Sequence, residues 1–181
     1  YALLLVVIGN AEMRRVRRDE ANAVKLAQTD RLSGLLNRAG LNQLLEDTVR
    51  HGRDVGEDVV LLYLDLDGFK EINDAYGHAA GDCALIYVAE TLRASVREGD
   101  SVGRMGGDEF AILLRRADLA SSRVKAMKLE AELSMGTFEY AGLYLKTGGS
   151  FGVRAYAGQA TAEAWLSEAD AAMFLVKKSS R

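Results

Sequence analysis

The chain has 181 residues, of which 49% are apolar and 27% charged, and a formal net charge of -3. That balance excludes a disordered chain, and an acidic total without clustered Lys and Arg excludes a broad surface for nucleic-acid polymers. A single cysteine, Cys83, excludes an internal disulfide framework, fits a reducing compartment, and reads as a small buried apolar residue. Residues 1–8, YALLLVVI, are apolar but too short to cross a bilayer. Arg14, Arg15, Arg17 and Arg18 follow, as on the cytoplasmic side of a spanning helix. Residues 1–29 read first as a connecting helix that dimerises or transmits a signal. The end of a membrane segment and an unstructured leader are the alternatives. Val16, Ala23, Val24 and Ala27 recur at roughly helical spacing, although Glu20 falls where a coiled-coil seam wants an apolar residue.

From residue 30 the pattern becomes regular. Asn37 is placed to cap a helix through Leu41, Leu44, Leu45 and Val49, which Gly52 and Gly56 end. Residues 59–64, VVLLYL, form a continuous apolar run expected as a central strand. Helices are expected over 69–76 and 81–96, the second burying Leu85, Val88, Ala89 and Leu92. Residues 101–104 and 110–114 read as strands joined by a tight turn, MGGD. A helix over 117–133, a glycine-containing strand over 144–155 and a helix over 161–178 complete the chain. With no repeat and no low-complexity stretch, this alternation predicts an α/β or α+β sandwich of helices on a central sheet.

Two glycines run straight into two carboxylates in the segment RMGGDEF, residues 104–110. Asp65 stands at the carboxyl end of the expected central strand, where ligand crevices form in open α/β sheets. Asp108 and Glu109 stand on a hairpin able to lie beside it. Converging carboxylates repel one another and are costly to leave unpaired in a partly buried site, so a cation resolves the arrangement. Magnesium, held by one or two carboxylates together with substrate phosphates, suits it. Gly106 and Gly107 can take positive φ and admit a bulky ligand close to the backbone. Taken alone, such a hairpin also reads as a plain solvated turn.

The surrounding motifs resemble a known family. RMGGDEF resembles the signature of the GGDEF domain, the catalytic domain of diguanylate cyclases, which condense two GTP molecules into cyclic di-GMP. DRLSGLLNR, residues 30–38, resembles the family's opening D-x-L-T-G-L-x-N-R, with Ser33 in place of Thr. DLDGFKEINDAYGHAAGD, residues 65–82, resembles its D-x-D-x-F-K-x-x-N-D-x-x-G-H-x-x-G-D block. SFGV and ADAAMFLVKKSSR resemble its closing strand and helix. The likeness spans residues 30–181. It implies a central, mainly antiparallel five-stranded sheet flanked by helices, of nucleotidyl-cyclase or palm type, preceded by the N-terminal helix.

By the same resemblance, Asp65, Asp108, Glu109 and the Leu66 carbonyl ligate magnesium, or manganese in its place, and Lys70 joins the three acids in catalysis. Asn73 and Asp82 read guanine, since Asp accepts from N1–H and N2–H while Asn offers both a donor and an acceptor. Lys70, Lys177, Arg181 and the backbone around Gly68 and Phe69 contact phosphates, with Gly106 and Gly107 lining the substrate. Arg97 and Asp100 form an R-x-x-D site for inhibition by the product, with Arg123, Lys125 or Lys128 as its second basic residue. Arg104 is expected to pair with Asp30, and His78 to be a structural hydrogen-bonding residue. Ser180 stands where the family commonly has glycine. The implied assembly is a homodimer in which each subunit presents one GTP, governed by an upstream sensor and cytoplasmic, at the inner face of the membrane if the N-terminal region is anchored. A catalytically silent receptor for cyclic di-GMP, or a GTP-binding regulatory domain, is the alternative.

Overall fold

The computed structural model describes Met13, Arg15, residues 26–55 and residues 57–179. The connecting helix expected before residue 30 therefore lies almost wholly outside the described residues. Beyond it the elements follow the order α1 (Arg38–Val55), β1 (Val59–Asp67), α2 (Phe69–Tyr76), α3 (His78–Ser95), β2 (Ser101–Gly106), β3 (Glu109–Arg115), α4 (Leu119–Met135), β4 (Phe138–Tyr140), β5 (Leu143–Leu145), β6 (Gly148–Ala155) and α5 (Ala162–Ser179). Asn37 caps α1 as expected, its Oδ1 accepting from the Gly40 N–H at 3.0 Å. The helix expected from residue 81 starts instead at His78, because the Gly77 carbonyl already accepts from Ala80 and Gly81.

Four antiparallel strands form the main sheet in the order β2-β3-β1-β6. The run that reads as apolar throughout, β1, is central and covered on both faces, which is why its pattern does not alternate. Val60, Leu62, Leu64 and Leu66 face Leu85, Val88 and Leu92 of α3 and Leu129 and Leu133 of α4. Val59, Leu61 and Tyr63 face Leu41 and Leu45 of α1 and Trp165, Ala169 and Met173 of α5. The result is a three-layer α–β–α sandwich with two apolar cores.

The sheet has four strands rather than the five expected. The strand expected over 144–155 divides at Lys146 and Thr147, where the Thr147 hydroxyl turns to the Asp67 carbonyl at 3.3 Å. Residues 143–145 pair instead with 138–140 as a separate ribbon, across a turn in which Ala141 and Gly142 both have positive φ. That ribbon rests on α3 through the stacked rings of Phe138 and Tyr87, 5.8 Å apart.

One contact fixes α5 on the sheet. A Cβ at Gly152 would lie 2.0 Å from the Ala169 carbonyl and 2.4 Å from the Met173 nitrogen, so the helix backbone rests directly on β6. Trp165, fully buried, completes the seat by donating from Nε1 to the Arg154 carbonyl at 3.2 Å.

Candidate active site

Strand periodicity assembles the acidic tip of β1. Odd-numbered residues of the strand face the α1 and α5 layer, so Asp65 and Asp67 continue the row of Leu61 and Tyr63. Register places Asp65 opposite Glu109 of β3 on one side and Ser150 of β6 on the other. Directly opposed side chains stand about 5 Å apart at Cβ. The Leu66 N–H donates to the Asp108 carbonyl at 3.2 Å and draws the 106–109 turn onto the strand tip.

The turn has the form its glycines require. Gly106 and Gly107 have φ of 147° and 52°, a bulge interrupts the register between Arg104 and Gly106, and a Cβ at either glycine would meet nothing within 4 Å. Conformation and open approach, not packing, therefore demand glycine. Arg104 clamps the bend, donating to the Gly107 carbonyl at 2.8 and 3.1 Å and to Asp30 at 3.3 and 3.4 Å. The expected pairing with Asp30 is present. Burial pushes the Asp30 carboxyl up, but hydrogen bonds from Ser33 and the charge of Arg104 outweigh it and hold the carboxyl below its ordinary range.

Across the tip lies Lys177. The buried stripe of α5, Trp165, Ala169 and Met173, continues at the same four-residue spacing to Lys177, so this lysine faces the sheet where the apolar core ends. Its ammonium donates to Asp65 Oδ1 and to the Leu66 carbonyl, the latter at 3.2 Å, and stands 3.4 Å from Asp67 Oδ1. Burial lowers the Lys177 pKa, but the charges of Asp65 and Asp67 raise it further and the net shift is upward. Burial raises both Asp108 and Glu109 above ordinary carboxylates, and repulsion from Asp65 adds to each. Tyr63, buried below Glu109 and hydrogen-bonded to it, has its hydroxyl pushed up by burial and by that negative charge.

These atoms suit a hard cation. A carboxylate of Asp65 and the Leu66 carbonyl already converge on one positive group, and two carboxylates that resist ionisation stand beside them. Among the described residues, no three His, Cys, Asp or Glu side chains come close enough to form a metal site by themselves. Oxygens from a ligand such as a polyphosphate are needed to complete the coordination shell of a divalent ion here.

The remaining expected residues divide between this region and a distant one. Asn73 on α2 leans onto Gly81 of α3, where a Cβ would lie 2.1 Å from its Oδ1, and exposed Asp82 follows directly. Gly68 turns the chain into α2 with φ 76°, putting half-buried Phe69 and exposed Lys70 on its first turn. His78 is exposed at the start of α3, and Cys83 is half-buried beside a small cluster of Ile72, Ala84 and Phe138. Arg181 lies outside the described residues. Arg97 and Asp100 sit at the far end of β3, about 20 Å from Glu109 by strand rise. The Asp100 side chain is 4% exposed and accepts from the Arg115 and Arg97 N–H groups, whereas the Arg97 side chain is 64% exposed. Lys125, bonded to the Ser95 carbonyl, shares with them a cleft of about 340 Å³ that Arg123 and Lys128 do not line.

Two parts of the site escape the sequence reading. Asp67 shares the face of Asp65, and strand period two is the signal that reveals it. Ser150, whose hydroxyl donates to Asp67 at 3.1 Å, has no such signal, because the pairing of β1 with β6 is not written locally. No helix among the described residues is long and apolar enough to cross a membrane.

Comparison with known proteins converges on one family. A family model described as "Diguanylate cyclase, GGDEF domain" matches residues 27–181. Diguanylate cyclase DgcP of Pseudomonas aeruginosa is 39% identical over 155 residues, 86% of this chain and 23% of that protein. The chain thus spans about a quarter of that curated relative. A sensory box/GGDEF family protein from Caulobacter crescentus superposes with a TM-score of 0.78 at 35% identity, covering 84% of this chain and 99% of the other. The GGDEF domain of DgcB from Caulobacter crescentus, solved in complex with c-di-GMP, superposes with a TM-score of 0.81 at 26% identity, over 86% of this chain and 94% of that one. With the fold, the turn and the spaced motifs all in agreement, the chain belongs to the diguanylate cyclase GGDEF domain family.

Proposed function

We propose that the chain condenses two GTP molecules into cyclic di-GMP and two pyrophosphates. The observation that carries this reading is the convergence of the Asp65 carboxylate and the Leu66 carbonyl on the Lys177 ammonium, beside Asp108 and Glu109 on an open glycine turn. Asp65, Asp108, Glu109 and Leu66 O hold magnesium, or manganese, together with the triphosphate. The ion supplies charge neutralisation on the α-phosphate and the leaving pyrophosphate and acidifies the attacking 3′-hydroxyl. Lys70, Lys177, Arg181 and the N–H groups at Gly68 and Phe69 hold the phosphates, and Asp108 also accepts the hydroxyl proton. Asn73 and Asp82 select guanine, with Gly81 leaving room for the Asn73 amide.

Each domain binds one nucleotide, so the 3′-hydroxyl of one must reach the α-phosphorus of the other across a homodimer, twice per turnover. Residues 1–29 act as the connecting helix that sets this approach for an upstream sensor, with the domain itself in the cytoplasm. Product binding at Arg97 inhibits, with Lys125 as the second cation and Asp100 holding the loop that presents the guanidinium.

Incubation with GTP and magnesium should release pyrophosphate and cyclic di-GMP, and Asp108→Ala should abolish both while sparing dinucleotide binding. A wild-type chain that yields neither product at any concentration would overturn the reading. It would favour instead a silent receptor for cyclic di-GMP, which the exposed Arg97 guanidinium and the DgcB complex support.

A further inference from the structure

We infer that Lys177 is the resident counter-ion of the metal cage: its ammonium holds the place of the divalent ion and must leave when that ion binds. The inference rests on the proposed cyclase reading and concerns a second task for a lysine that reading assigns only to phosphate.

Three oxygen atoms receive the ammonium. It donates to Asp65 Oδ1 and to the Leu66 carbonyl at 3.2 Å, and lies 3.4 Å from Asp67 Oδ1. Two of these, the Asp65 carboxylate and the Leu66 carbonyl, are oxygens the metal needs, so ion and ammonium compete for the same atoms. Burial sharpens the competition, since the side chains of Lys177 and Asp65 are only 23% and 22% exposed. The ammonium pairs with two carboxylates, Asp65 and Asp67, and Asp108 and Glu109 on the neighbouring turn feel the charge of Asp65, which leaves the strand tip short of positive charge. A divalent ion corrects that deficit better than one lysine does. The lysine can move because its ammonium rides on four flexible methylenes, whereas its Cα is fixed by the helix stripe seated on Gly152. Once displaced, the ammonium is free for the negative charge that arrives with the ion, the triphosphate. Ligand exchange at the strand tip and capture of phosphate are then one event, and metal and nucleotide bind better together than apart.

The test separates two affinities that an ordinary phosphate-binding lysine would move in one direction. Binding of Mn²⁺ alone is measured by electron paramagnetic resonance on the full chain, and binding of a non-hydrolysable GTP analogue with Mn²⁺ by calorimetry. Lys177→Met should tighten Mn²⁺ alone by about fivefold, the equivalent of losing one partly exposed ion pair. The same change should weaken the analogue by about tenfold, the loss of one charge-assisted contact. Lys178→Met, one residue on and exposed, should do neither. Unchanged or weaker Mn²⁺ binding in Lys177→Met overturns the exchange. Asp65→Asn tests the parent reading separately: if it leaves Mn²⁺ and analogue binding intact, the cage itself is wrong, whereas its loss with an inert Lys177→Met condemns only the exchange.

Discussion

Charge is set against burial at single residues here, and the direction differs from one carboxylate to the next. Asp108 and Glu109 have folded pKa values above their unfolded ones, so both states are neutral in strong acid and the folded state alone bears an ionisation cost at neutral pH. Their contribution to stability therefore falls as pH rises from the ordinary carboxylate range through the raised values. Asp108→Asn should raise the melting temperature at pH 7.5 in chelator, and the gain should vanish below about pH 3, under the ordinary aspartate value. Asp30 has the opposite sign, because Ser33 and Arg104 hold its folded pKa down. Asp30→Asn should lower the melting temperature at neutral pH, a loss that disappears as acid protonates the folded carboxylate. Thermal melts across pH on the three proteins check both signs. Asp108 and Glu109 are legible in the sequence because acids straight after two glycines stand out from an apolar background, and Asp65 because it ends an apolar strand. Lys177 is legible too, yet its partner is not: only the register of β1 and the seat of α5 bring Asp65, Asp67 and the lysine together.

Elements carry the site by close approach. Trp165 is fully buried between α5 and the sheet, and Trp165→Ala should cost roughly 3–5 kcal/mol in denaturant unfolding. Between α2 and α3 the close approach is polar. Gly81→Ala forces a methyl group onto the Asn73 amide, and GTP affinity should drop about tenfold with circular dichroism unchanged. Helices and central strands were foreseeable from the apolar pattern, because α1 buries Leu41 and Leu45 at helical spacing and β1 is one unbroken apolar run, although α1 continues through Gly52 to Val55. The break between β5 and β6 was not, since a continuous glycine-rich run gives no local sign that Thr147 will turn toward Asp67. The ribbon exists because 143–145 finds a better partner in 138–140 than in the sheet, which is a tertiary choice.

At the scale of the whole molecule, the two ends of β3 divide the proposed labour. Glu109 begins the strand beside the acidic tip of β1 and Arg115 ends it beside Asp100 and Arg97. Strand β3 joins the two places without any residue common to both, so the proposed product site can be altered apart from the proposed catalytic one. Arg97→Ala should accordingly relieve inhibition by cyclic di-GMP at least tenfold in a pyrophosphate assay while leaving the initial rate within about twofold. Because the proposed chemistry needs two subunits, specific activity should climb with protein concentration, and replacing residues 1–29 by a parallel leucine zipper should raise it most in dilute solution. A zipper that changes nothing in any register would show that the leading segment does not govern the encounter.

The bare hydrogen at position 152 reaches further than the core it fills. Because α5 lies directly on that spot, the base of Lys177, roughly 6 Å along the helix axis from Met173, has its height above the strand tip determined there. A methyl group in that spot would lift the helix and pull the lysine back from the acids, so the most inert atom in the domain doubles as a spacer for its most charged corner.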